Sequence, residues 1–311
     1  MLRIFPKLAQ RKGYNPELDK NAFNFLSARI PMPVLMPEPK GTLLGQSTVY
    51  GDSYDPTLIQ PIPRSLGRDA IGDHHFRGTD IWRLYELSWL APNGLPQTAV
   101  GEIFVPASTH SIVESKSLKL YAGSFAMTTV ASLEEVEKRM AEDLGARIGE
   151  GVRVKLSPAE KWAGNVTPLP GTCLETLPEA ASHEFRAAEA DALVLRLGAD
   201  PAETGEKIWS TRIFRSLCPV TGQPDYAAVV VRIRGRGPAP MALLDYLVSY
   251  RRHRGFHEQC VEQIFHDLRA AFSPEMLEVY AAFTRRGGID INPFRSTERD
   301  LPASILREIR Q

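Results

Sequence analysis

The chain has 311 residues, 43% of them hydrophobic and 24% charged, with Lys plus Arg equal to Asp plus Glu at 37 each. That length gives two domains of about 150 residues, and the balanced charge excludes a global field that would gather nucleic acid or an anionic membrane. No run reaches the roughly 18 apolar residues of a membrane span, and the start, Met1 to Lys7, lacks the apolar core of a secretory signal, so the reading is a cytoplasmic protein with no nucleic-acid or membrane partner.

Residues 1–75 are rich in Pro, Gly and Asp with little periodicity and read as an ordered arm of the first domain. Asp73-His74-His75 has metal-ligand residue types, but adjacent side chains of an extended segment point apart, so it reads as a solvated loop. The first domain then occupies 76–160. Asp80 to Leu90, with Ile81, Trp82, Leu84, Tyr85, Leu87 and Trp89, predicts a strand, and Asn93-Gly94 predicts a hairpin into Thr98 to Val105. From Ser111 to Tyr121 small polar and basic residues interleave with apolar ones, which predicts an amphipathic strand or turn. Ser132-Leu133-Glu134-Glu135 forms a capping box, and Leu133, Val136, Met140, Leu144 and Ile148 recur at helical spacing up to Gly149. A short strand, Val152 to Leu156, follows.

Pro168, Pro170, Gly171 and Pro178 mark 161–185 as a connection, and 186–311 is the second domain. Ala192 to Leu197, Ile208 to Ser216 and Tyr226 to Arg234 predict strands, and Met241 to Arg252 and His257 to Phe272 predict helices. Leu277 to Phe283 reads as a closing strand ahead of Arg285-Arg286-Gly287-Gly288. At an offset of 127, Ile81-Trp82 falls on Ile208-Trp209 and Leu90-Ala91-Pro92 on Leu217-Cys218-Pro219, so the halves read as a tandem duplication. Only the second copy carries a thiol there.

The three cysteines, Cys173, Cys218 and Cys260, are an odd number spread too far apart for a disulfide framework, which leaves reactivity or metal binding. Cys218 sits in Cys218-Pro219-Val220-Thr221-Gly222-Gln223-Pro224-Asp225, a rigid turn that presents a nucleophile and a carboxyl proton donor together. Cys218 with His257 and Cys260 also has the ligand count of a catalytic zinc site. A dinucleotide loop at Arg234-Gly235-Arg236-Gly237 fails, because Pro240 replaces the last glycine and no βαβ alternation surrounds it. Basic residues at Lys116 and Lys119 and at Arg285-Arg286 beside glycines suit phosphates. Glu258 can accept two hydrogen bonds from a guanine-like ring, with His257 beside it to orient or transfer protons.

On Glu114-Ser115-Lys116-Ser117-Leu118-Lys119-Leu120-Tyr121, Cys218 through Asp225, Phe256 through Glu262, and Tyr280 through Arg295, the chain resembles the NADPH-dependent 7-cyano-7-deazaguanine reductases, the nitrile reductases of queuosine biosynthesis, in their long two-domain form. The resemblance implies an α+β fold of two tandem tunnelling-fold domains, antiparallel sheets with helix pairs on one face, and a homodimer. It implies NADPH as cofactor and no metal. By the same resemblance Cys218 attacks the nitrile carbon to form a thioimide, Asp225 donates the proton and His257 lies beside the ring. Val113, Glu114, Ser115, His257 and Glu258 then contact the deazapurine, and Ser115, Lys116, Arg286 and Gly287 contact NADPH. Two other readings stay open at this level: a zinc-dependent cyclohydrolase-like hydrolase of a purine or pterin, and a non-catalytic deazapurine binder.

Overall fold

Two long hairpins organise the chain, and both follow from alternating apolar residues ending in glycine turns. A computed structural model describes residues 51, 53–185, 198–200 and 205–311, which fall in one compact unit, Glu38–Gln311. The predicted strand Ala192 to Leu197 and most of the N-terminal arm lie outside the described residues. The first half runs β1 (Pro61–Pro63), α1 (Ser65–Ile71), β2 (Gly78–Leu90), β3 (Pro96–Pro106), β4 (Ser111–Val113), α2 (Ser115–Ser124), α3 (Leu133–Ile148) and β5 (Arg153–Pro158). After β6 (Thr172–Cys173), the second half runs β7 (Ala199–Asp200), β8 (Glu206–Leu217), β9 (Pro224–Arg234), β10 (Gly237–Pro238), α4 (Pro240–Ser249), α5 (His257–Phe272), β11 (Met276–Phe283) and β12 (Ile289–Ser296).

Eight strands join in one sheet of order β5-β3-β2-β12-β11-β9-β8-β6, antiparallel throughout except where β6 meets β8. The helices cover one face. On that face Val229, Val231, Val279 and Phe283 pack with Leu243, Leu247, Val261 and Phe265 of α4 and α5. Trp82, Leu84, Ile103 and Val105 pack with Leu118 and Tyr121 of α2 and Val136, Met140 and Leu144 of α3. The opposite face buries Ile81, Val230, Tyr280 and Phe294 against Leu306 near the C-terminus. This is the antiparallel α+β arrangement with helix pairs on one face.

The duplication is visible in detail. The β2–β3 pairing shifts register between Leu84 and Leu87, and β8–β9 shifts between Thr211 and Phe214, the positions related by the 127-residue offset. The paired helices match in length, 10 residues for α2 and α4 and 16 for α3 and α5. Each half also places a tyrosine-to-aspartate hydrogen bond between its helices, Tyr121 to Asp143 and Tyr246 to Asp267, both 2.5 Å.

Two expectations need correction. Ser111–Tyr121 is not one strand or turn: only Ser111–Val113 is extended, and a helix begins at Ser115. The cause is Glu114, whose carboxylate accepts from the Lys116 and Ser117 amides at 2.8 and 2.7 Å and so caps a helix whose other residues give little periodic signal. Nor does Leu277–Phe283 close the sheet, because β12 follows it and pairs with both β11 and β2. All eight residues of β12 are buried, the polar Asp290, Asn292 and Arg295 among them, so its polar positions mark no solvent face.

Candidate active site

The β8–β9 hairpin ends in a turn whose backbone is closed by two hydrogen bonds. The Cys218 N–H donates to the Gln223 carbonyl (2.9 Å) and the Gly222 N–H to the Cys218 carbonyl (3.0 Å), with Gly222 at φ +69°, where a side chain would be strained. Register places Ser216 opposite Asp225, so Cys218 and Asp225 leave the same end of the hairpin. The entry to α5 is stitched to that end: Leu217 N–H donates to His253 O (2.8 Å) and Gly255 N–H to Leu217 O (3.1 Å). His257 and Glu258, the first residues of α5, are thereby held beside the cysteine turn.

The result is one cavity of about 260 Å³ at the seam between the halves. Every residue that the resemblance assigns to the site lines it: Cys218, Asp225 and His257; Val113, Glu114, Ser115 and Glu258; and Lys116, Arg286 and Gly287. The structure adds Trp82, Lys119, Phe256, Thr284, Ile289 and Ile291. Phe256, Lys119, Thr284, Ile289 and Ile291 all stand in the quoted motifs, but the strand β12 that carries Ile289 and Ile291 was not expected.

Burial shifts the carboxyls and the imidazole of the cavity. Asp225 is 8% exposed; burial raises its pKa, against the lowering pull of Arg286, whose guanidinium pairs directly with it. His257 Nε2 lies 3.8 Å from Asp225 Oδ1, and its ring stands edge-on to Phe283 with centroids 4.0 Å apart. Burial, with Arg286 adding to it, pushes the imidazole down to about 3, so His257 is neutral. Glu258 is 2% exposed, and burial is the main force taking its pKa up to about 8. Its Oε1 is buried with no hydrogen-bond partner. Glu114, 1% exposed, is also raised by burial, while both its oxygens cap α2.

Cys260 does not join the cavity. It is fully buried in the core of the second half, and burial pushes its thiol up to about 12. Among the described residues no group of three or more His, Cys, Asp or Glu is arranged to hold a metal ion. Asp73, His74 and His75 diverge: Asp73 Oδ2 pairs with His266 and Arg269, His74 lies 3.4 Å from Asp69, and His75 is exposed.

The rim of the cavity is cationic. Lys116, Lys119 and Arg286 meet there. Gly287, at φ +59°, closes the β11–β12 turn, and a Cβ on it would come within 3.2 Å of the Lys119 side chain. An N–H-bearing glycine surface among three cations suits a phosphate-bearing cofactor, because charge and close backbone approach act together.

Comparison with known proteins finds similarity in both halves of the chain. Residues 50–156 match the family described as nitrile reductase, 7-cyano-7-deazaguanine-reductase N-term, and residues 224–301 match the family described as QueF-like protein. The chain is 44% identical over 266 residues to an NADPH-dependent 7-cyano-7-deazaguanine reductase of Teredinibacter turnerae, covering 85% of this chain and 94% of that one. A solved structure, an archaeosine synthase QueF-Like in the apo form, is 22% identical over 30% of this chain and 94% of its own, with a TM-score of 0.28.

Proposed function

Since the chain belongs to the family of NADPH-dependent 7-cyano-7-deazaguanine reductases, we propose that it reduces 7-cyano-7-deazaguanine to 7-aminomethyl-7-deazaguanine with NADPH, a step of queuosine biosynthesis. The observation that carries this reading is the single cavity in which Cys218, Asp225, His257 and Glu258 meet below a cationic rim.

A nitrile is a poor hydride acceptor, so the first task is to change its bonding. The Cys218 sulfur adds to the nitrile carbon, and the nitrogen takes a proton from Asp225, giving a thioimide with a C=N bond that accepts hydride readily. NADPH, when bound, supplies the two hydrides that carry this carbon to the aminomethyl level. Lys116, Lys119 and Arg286 with Ser115 and Gly287 would hold it. Two protons in all, that of Asp225 and one more, balance the two hydrides, and the C–S bond breaks after the first hydride, returning the thiolate and leaving an imine for the second. The raised pKa of Asp225 keeps its proton available, and neutral His257 stands beside it as the next donor or acceptor in line. The orphaned Oε1 of Glu258 accepts from the N–H donors of the deazaguanine ring, and Glu114 and Val113 border the same ring from the first half.

We take 76–160 and 186–311 as the two domains, 161–185 as their connection, and the working species as a cytoplasmic homodimer. Among the described residues no helix is long and apolar enough to cross a membrane.

Incubation with the nitrile alone should raise the protein mass by one substrate molecule, and Cys218→Ala should abolish that adduct and NADPH consumption together. An adduct that survives Cys218→Ala would overturn the nucleophile, and an absence of nitrile-dependent NADPH oxidation in the unmodified protein would overturn the function.

A further inference from the structure

Behind Glu258 lies a cluster of buried charges that contributes nothing to the cavity lining. Arg64 Nη2 donates to Asp80 Oδ2 at 2.6 Å, and Arg295 Nη1 donates to Asp80 Oδ1 at 2.7 Å. Glu262 Oε1 accepts from Arg295 Nη2 and from Arg68 Nη2, both at 2.7 Å, and lies 3.6 Å from Arg64 Nη1. Arg68 Nε reaches the other Glu262 oxygen at 3.0 Å. Exposures are 0% for Asp80 and Arg295, 2% for Glu262, 4% for Arg64 and 6% for Arg68.

Three guanidinium groups face two carboxylates, so the cluster carries one uncompensated positive charge in the interior. Such an excess is costly unless another buried group answers it. Glu258 is the group in place. It lies one turn before Glu262 on α5, so both project from the same side of that helix. Counting Glu258 as a carboxylate brings the assembly to neutrality. Its own Oε1 has no hydrogen-bond partner, which leaves that oxygen for a ligand.

We infer that the Arg64–Asp80–Arg68–Glu262–Arg295 cluster is a positioning device, whose single excess positive charge eases the ionisation of Glu258 when the substrate ring binds and aims it at that ring. Resting on the function proposed above, this names the groups that set its ring recognition. The cluster takes Arg64, Arg68 and Asp80 from the first half and Glu262 and Arg295 from the second, so substrate recognition depends on the two halves being docked. The groups acting on Glu258 come from each element around it. Asp80 on β2 opposes its ionisation, while Arg64 at the start of α1 and Arg295 on β12 favour it. Cys260 on α5 stays neutral, its thiol pushed up to about 12.

The test is steady-state kinetics of the full chain from pH 6 to 10. Arg64→Gln removes one positive charge. It should raise KM for the nitrile about tenfold at neutral pH and move the midpoint of the KM profile about one unit higher, a unit of pKa being a factor of ten in binding. kcat and KM for NADPH should stay within twofold, and Arg64→Lys should restore the profile. Glu258→Gln should flatten the profile, and Arg64→Gln should add nothing on that background. An unmoved midpoint in Arg64→Gln, no rescue by lysine, or a full second effect on Glu258→Gln each overturns the inference. If Arg64→Gln does not fold, Asp80→Asn must move the midpoint down, and a midpoint that stays or rises overturns the inference instead. A wild type inactive toward the nitrile fails the proposed function, whereas an active wild type with an unmoved variant profile fails only this inference.

Discussion

Asp225 and Glu258 show how one physical force serves two purposes. Both are carboxyls raised by burial, yet Asp225 is paired with Arg286 whereas Glu258 Oε1 has no partner at all. The pairing keeps Asp225 aligned beside Cys218, and burial holds its proton to a higher pH than an ordinary aspartate would. A proton donor works only while protonated, so turnover should fall as pH rises through the elevated pKa of Asp225. Asp225→Asn should lower kcat by about 100-fold or more at neutral pH and remove that limb of the pH profile, with the nitrile still bound. Steady-state rates set against a direct titration of nitrile binding would check both parts. A variant turning over at the wild-type rate would remove Asp225 from the mechanism.

At the scale of elements, the joint between the halves is the β2–β12 pairing, and Gly78 is its tightest point. Gly78 has φ +142°, and a Cβ there would sit 2.0 Å from the backbone oxygen of Phe294 on β12. Backbone cannot yield as a side-chain end does, so Gly78→Ala should cost about 3 kcal/mol, seen as a lower urea midpoint with an unchanged slope. An unshifted midpoint would mean that the pairing relaxes freely. β12 went unread for a related reason. Asp290, Asn292 and Arg295 are fully buried, which a sequence pattern counts as exposed, and their partners Arg83, Tyr85 and Asp80 lie some 200 residues away in the chain. The capping box at Ser132, by contrast, was legible because its bond to the Glu135 amide spans three residues.

At the scale of the molecule, the buried charges give stability two pH dependences of opposite sign. Glu258 holds its proton up to about pH 8 when folded, whereas an unfolded glutamate releases it near 4.5. Its contribution is fully present below about pH 4.5 and is lost as pH rises to 8. Asp80 and Glu262 are the reverse. Their arginines hold them below the usual carboxylate range against the cost of burial, so their contribution is present above about pH 4 and lost as pH falls below it. Glu258→Gln should therefore gain melting temperature over the wild type progressively between pH 4.5 and 8 while losing ring binding, a stability gain at the expense of function. Thermal melts across that range check it, and parallel curves would show that Glu258 titrates normally.

What the sequence by itself determined is local. Alternation over Asp80 to Leu90 and Ile208 to Ser216, helical spacing in α3 and α5, the repeat that puts Ala91 where Cys218 stands, and the motifs of the site residues all act within a few neighbouring positions. Only the tertiary structure decided that those residues share one cavity, that Glu114 starts a helix, that β12 unites the halves in one sheet, and that Cys260 belongs to the core. The reason is physical: a carboxylate's pKa, a strand buried on both faces and a neutralised charge cluster are properties of neighbours in space, contributed by segments far apart in the chain.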